Sequence, residues 1–206
     1  DTARDHATIF TEGDAPLPVA PAADVSDIGE NDIASLKIAI AGILDGAFEV
    51  VAIGGTTFNP TVTSSAIITI GGTHFQVTYT AGSAGTRTFF IQQVGGGAIP
   101  HADLDALVQS VTYANIDQMP VAGNRTLTFT AKDLSNATSA PAVATIAVVP
   151  VNDPPVGVDD AASLGEDAAS VGGNVLTTAP GIDTDVDGGP LTVSAAMQGT
   201  TAITIG

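Results

Sequence analysis

The sequence predicts an all-β fold: an antiparallel β-sandwich of the Ig/cadherin-like Greek-key kind with one short helix, followed by a truncated second sandwich repeat. Three observations predict it. Short runs with β-branched or period-two character recur along the 206 residues. Gly, Asn, Asp and Pro punctuate them, as in Gly54-Gly55, Gly71-Gly72, Gly95-Gly96-Gly97 and Gly123-Asn124. One segment, residues 100–109, breaks the pattern with helical spacing.

Taken in order, strands are expected over 7–10, 18–25, 35–43, 48–53, 66–70, 75–81, 86–93, 125–131 and 142–149. Regular strands with such turns describe a sandwich. Aromatic residues make up only 4%, so the core rests on Val, Ile, Leu, Ala and Thr. Phe89 and Phe90 are adjacent and cannot both point inward on a flat strand; one is exposed, at a bulge or a contact surface. In the helical segment Leu104, Leu107 and Val108 share one face, and Asp103 and Asp105 stand near its start, where the helix dipole favours them.

Prolines 150, 154 and 155 exclude Val149-Pro-Val-Asn-Asp-Pro-Pro-Val156 from any central strand and stiffen it into a connection. The expected organisation is a sandwich over 1–150, a Pro-rich linker over 151–156 and the first part of a second repeat over 157–206. The second part echoes the first. Glu12-Gly-Asp14 resembles Gly165-Glu166-Asp167, and Val25-Ser-Asp27 before Leu36 resembles Asp183-Thr-Asp185-Val-Asp187 before Leu191. A second module this short lacks most of its strands and would expose edges and half a core.

Acidic residues number 22 against 5 basic ones, a formal net charge of −17. Nucleic-acid binding needs clustered Lys and Arg, so it is excluded as a function, and an anionic membrane surface is disfavoured. The longest apolar run, 38–44, falls far short of the ~20 residues of a membrane span. With no Cys there is no disulfide framework, zinc thiolate or cysteine nucleophile. The three His, at 6, 74 and 101, lack H-x-H or H-E-x-x-H spacing, and no G-x-S-x-G, P-loop or G-x-G-x-x-G occurs; no enzymatic activity is expected. Of the 22 acids 18 are Asp, and residues 50–102 contain none, leaving a neutral, Thr-rich stretch where a glycan or protein could bind. The cysteine-free, acidic, Gly- and Thr-rich composition suggests an extracellular, cell-surface chain.

The sharpest motif is Asp183-Thr-Asp185-Val-Asp187-Gly188. Carboxylates at alternating positions repel one another without a cation, and clustered Asp supplies the oxygens that calcium requires. The twelfth position would be Ser194 and a strand follows, so it is not an EF-hand. Asn152-Asp153, between two acidic modules, is the second candidate.

The run Tyr113-Ala-Asn115, then Gly123 through Ala131-Lys-Asp133, then Val-Val-Pro-Val-Asn152-Asp153-Pro-Pro, resembles the bacterial cadherin-like repeat of large surface adhesins. Gly173-Asn-Val-Leu176 with Asp183-Thr-Asp-Val-Asp-Gly-Gly-Pro-Leu-Thr-Val193 resembles the start of a VCBS repeat. The resemblance implies sandwiches strung end to end with calcium at their junctions. It implies a junction site of Glu12, Asn152, Asp153, Asp183 and Asp185, with Glu166 and Asp187 as further ligands and Asn115 or Asp117 as optional ones. It also implies that Asp27 and Asp133 face a preceding module. The partners would be neighbouring repeats of the same polypeptide, with a glycan or surface-protein ligand met through other domains. The expected role is a calcium-stiffened extender of a secreted adhesin or biofilm-matrix protein. The alternative is a carbohydrate- or protein-binding sandwich module. The Asp153-Pro154 bond also raises self-cleavage, against which the prolines have a simpler linker role.

Overall fold

Period-two alternation sorts the side chains of each long strand into a buried set and a solvent-facing set. In the computed structural model, which describes residues 5–25, 33–59, 61–82, 87–178 and 181–205, that alternation builds an all-β sandwich. The chain divides into two units, Asp1–Val151 and Asn152–Gly206.

Unit 1 contains β1 (His6–Thr11), β2 (Leu17–Pro18), β3 (Ile33–Ala41), β4 (Glu49–Ile53), β5 (Thr56–Phe58), β6 (Ser64–Ile70), β7 (Thr73–Ala81), β8 (Arg87–Gln93), α1 (His101–Gln109), β9 (Thr112–Asn115), β10 (Gly123–Asp133) and β11 (Ala142–Val149). Seven strands form one sheet in the order β1-β11-β10-β3-β8-β7-β6, and four form the other in the order β2-β9-β4-β5. Within the seven-stranded sheet β1 pairs parallel with β11, and every other ladder is antiparallel. The Gly54-Gly55 and Gly71-Gly72 turns take positive φ at both residues, the geometry that closes tight two-residue hairpins between β4 and β5 and between β6 and β7.

The sheets meet through aromatic contacts. Phe10 on β1 lies edge-on to Tyr113 on β9 with centroids 5.5 Å apart, and Phe58 on β5 meets Phe89 on β8 at 5.1 Å. Ile, Val and Leu from both sheets fill the space between. Helix α1 sits where its spacing predicted and buries Leu104, Leu107 and Val108. Phe89 is buried and Phe90 exposed with no register shift in their ladders, so alternation alone separates the pair.

Two points of the expected strand list need correction. Of the strand expected over 18–25 only Pro18 is in one, the two-residue Leu17–Pro18; Pro18 and Pro21 lack the N–H that a ladder needs. Strands β5 and β9 were not anticipated, being three and four residues long. Unit 2 is sparse in regular structure, as a module lacking most of its strands should be. Among its described residues the regular structure is a hairpin of β12 (Ala196–Gln198) and β13 (Thr201–Ile203) plus a bridge between Val156 and Thr184, and Gly181 is the one buried position.

Candidate functional site

Because β1 and β11 run parallel as edge and neighbour, the chain enters unit 1 at one end of the sandwich and leaves it at the other. Glu12 belongs to the exit end. It follows β1, donates its backbone N–H to Val149 O at 2.9 Å and accepts the Val151 N–H through Oε2 at 2.8 Å. Its carboxylate thus clips the chain just as it departs. Asp133 belongs to the entry end, as the last residue of β10, where its Oδ1 accepts the Ala137 N–H at 2.7 Å. Asp27 lies outside the described residues.

The exit end is built on a buried ion-pair network. Arg125 occupies an inward position of β10 in phase with Leu127 and Phe129. Its Nη2 donates to Asp45 Oδ2 at 2.8 Å and to Glu49 Oε1 at 3.0 Å, and Nε donates to Glu49 Oε2 at 3.1 Å. Nη1 donates to the carbonyls of Val121 and Gly123. Glu49 also accepts from Tyr113 Oη at 2.9 Å and from the backbone N–H groups of Leu44 and Asp45. Asp45 accepts from Asn115 Nδ2 and from the Val121 N–H. Asn115 Oδ1 in turn accepts the Asp117 N–H at 3.0 Å.

The electrostatics follow from burial. Burial opposes the charge on Arg125, but the hydrogen bonds and charge of Glu49 outweigh it and hold the guanidinium above its ordinary pKa. Burial raises the Tyr113 pKa, and the Glu49 carboxylate beside it raises it further. Sequence reading passed over Asp45, Glu49 and Arg125. A signal was present: Arg125 falls on the apolar phase of β10, and Glu49 on the phase of Val51 and Ile53. Asn115, named only as an optional cation ligand, is committed here to Asp45 and to the turn at Asp117.

In unit 2 the acidic motif folds back on the linker. Asp183 Oδ1 accepts the Val158 N–H at 2.7 Å, and Asp187 Oδ2 accepts the Asp153 N–H at 2.6 Å. Asp185 Oδ1 accepts the Asp187 N–H, and Thr184 pairs with Val156. Asp153, Asp183, Asp185 and Asp187 are therefore brought into one stretch of interlocked backbone. Asn152 Nδ2 donates to the Asp153 carbonyl, and Glu166 is exposed in a turn. Asp183, Asp185 and Asp187 each engage a backbone N–H through one oxygen; no three of these acids bring ligand atoms within 4.8 Å of one another.

The entry end holds a cleft of about 590 Å³ with Leu36, Val108, Phe129 and Ala131 among its apolar lining and Asp24 and Asp133 among its charged lining. Beside it, Asp24, His101 and Asp105 offer ligand atoms within 4.8 Å of one another, the one such group of three among the described residues. Asp105 also accepts the Val25 N–H, which fastens the β2–β3 connection onto α1. Here i,i+4 spacing on a helix, rather than H-x-H spacing, brings a His to carboxylates.

Compared with family models, curated proteins and solved structures, the chain finds no match.

Proposed function

We propose that this chain is an extender segment of a secreted bacterial adhesin or biofilm-matrix protein: a cadherin-like repeat followed by the start of a VCBS-like one, stiffened by calcium. The observation that carries the reading is the parallel pairing of β1 with β11. It sends the chain in at one end of unit 1 and out at the other, the geometry that an end-to-end string of modules requires. Two features of the linker support it. Glu12 clips the departing chain, and the carboxylates of Asp183 and Asp187 fold onto the segment that follows. Calcium at Asn152, Asp153, Asp183, Asp185 and Asp187 would neutralise mutually repelling carboxylates and restrain the linker. The role is reach and stiffness, with no reaction to catalyse.

The test is a thermal melt with and without millimolar calcium, with magnesium as control, alongside small-angle scattering. Calcium that binds only the folded state at a hundredfold excess over its dissociation constant adds about 2.7 kcal/mol. A calcium-selective rise in midpoint with a longer, narrower particle supports the reading; identical melts and scattering in all three conditions reject it. A second reading, a carbohydrate- or protein-binding sandwich module, draws on the cleft at the entry end of unit 1. A glycan screen on protein altered at Phe129 decides it.

A further inference from the structure

The seven-stranded sheet carries almost no acid. Its only Asp or Glu among the described residues is Asp133, which ends β10 beyond a register shift and lines the cleft. The protein has 22 acids and a net charge of −17, so every like-charged neighbour of this sheet lies elsewhere on the chain. Both lysines of the protein, Lys37 and Lys132, project from its outer face. Register places Thr126, Thr128 and Thr130 of β10 on that face, opposite Ala41, Ala39 and Lys37 of β3. Ile67 and Phe90 also point outward, 61% and 42% exposed. The low Asp propensity of strands accounts for part of the pattern. It does not account for a face on which large apolar side chains replace acid in so acidic a protein.

We propose that this outer face is a self-association surface, which packs on the same face of a second copy of the chain. Three arguments select a second copy. First, two molecules at −17 repel wherever acids face each other, and on this face, among the described residues, no strand acid points outward for them to meet. Second, twisted sheets pack face to face when their side chains are small and β-branched, as the Thr and Ala rows here are. Third, seven strands span about 30 Å by about 23 Å, roughly 700 Å² of projected area, close to the ~800 Å² per partner of a standard interface. The axis of a twofold dimer passes near Ala39, on the fourth of the seven strands.

The salt dependence tells a second copy from an anionic partner. Screening shortens from about 30 Å at 0.01 M salt to about 3 Å at 1 M. Repulsion between copies then fades, so the dimer should strengthen at least tenfold. A polyanion held by Lys37 and Lys132 should weaken instead. Sedimentation velocity of the full chain in EDTA, across this salt range, keeps the result separate from any role of calcium. The expected result is a dimer that grows with salt, and that disappears in Phe90→Asp and Ile67→Asp variants whose unfolding midpoints stay unchanged. The chain has no Cys, so Ala39→Cys should form a disulfide-linked dimer far faster than Asn59→Cys, which lies off the face. A monomer at millimolar protein and 1 M salt overturns the proposal. So does a dimer indifferent to Phe90→Asp, or binding to an acidic polysaccharide that falls with salt while the protein remains monomeric.

Discussion

Arg125 and Glu49 lie 76 residues apart in sequence and meet through three hydrogen bonds of 3.0 to 3.2 Å, with neither side chain reaching solvent. The pair fixes the start of β4 against β10, across the sandwich. Asp45 completes the charge count, and the backbone groups of Leu44, Asp45, Val121 and Gly123 satisfy much of what remains.

Replacing one partner strands the others. Arg125→Ala leaves two buried carboxylates without a cation and should cost about 3–5 kcal/mol of stability. A triple replacement with apolar residues of similar volume should not recover the loss, because the N–H groups of Leu44, Asp45 and Val121 and the Tyr113 hydroxyl would lose their acceptors. Urea denaturation of both variants checks the pair of outcomes. A loss below about 1 kcal/mol for Arg125→Ala would mean that water reaches the network, since exposed pairs are worth no more than that.

Alkaline pH should unfold the protein through its tyrosines. Tyr113 and Tyr79 both have pKa values raised above the ordinary 10.0, chiefly by burial. The unfolded chain therefore loses these protons first. Their contribution is fully present below about pH 10 and is lost as pH rises toward the folded values, by up to about 1.4 kcal/mol per pH unit for each group. Tyrosinate absorbance should rise together with loss of the fold. Ionisation of both tyrosines in protein that still unfolds cooperatively at higher pH would contradict the burial argument.

Unit 1 should fold without unit 2. The hydrophobic core among the described residues runs from Phe10 to Val148 and draws nothing from the second unit. A chain ending at Val151 should keep the unfolding midpoint in EDTA within a few degrees of the full chain. A separate residues 152–206 fragment should show no cooperative transition. Loss of folding in the truncated chain would assign unit 2 a stabilising role.

Asp187→Asn separates the two tasks of that side chain. An amide oxygen can still accept the Asp153 N–H, but the negative charge is gone. The calcium-free melt should be unchanged and the calcium-induced rise should shrink, because calcium affinity is tuned by the charge count of its ligands. Asp187→Ala should shrink the calcium-induced rise at least as far. Equal calcium responses in wild type and Asp187→Asn would remove Asp187 from the ligand set.

The sequence was most legible where side-chain periodicity and burial are local matters. β1, β8 and β11 alternate, as does β3 from Leu36 onward, and α1 shows its apolar face at i, i+3 and i+4. The strand expected over 18–25 failed for a local reason as well, the missing N–H groups of its prolines. β5 and β9 were hidden because three or four residues do not establish a period. Among the candidate ligands, the Asp183-to-Asp187 motif was visible because its carboxylates are neighbours in sequence. Asp24 and His101 were not, because 77 positions separate them and only folding brings them together.

By itself, then, the sequence determined the all-β class, the break at the Pro-rich linker and the net charge of −17, since each follows from composition or from residues a few positions apart. Tertiary structure decided the rest. It placed Arg125 against Glu49, set Glu12 and Asp133 at opposite ends of the sandwich, and gathered an acid-free face from seven strands. The reason is physical: strand register and sheet order are set by packing between segments distant in sequence, and no local pattern encodes which distant segment will be the neighbour.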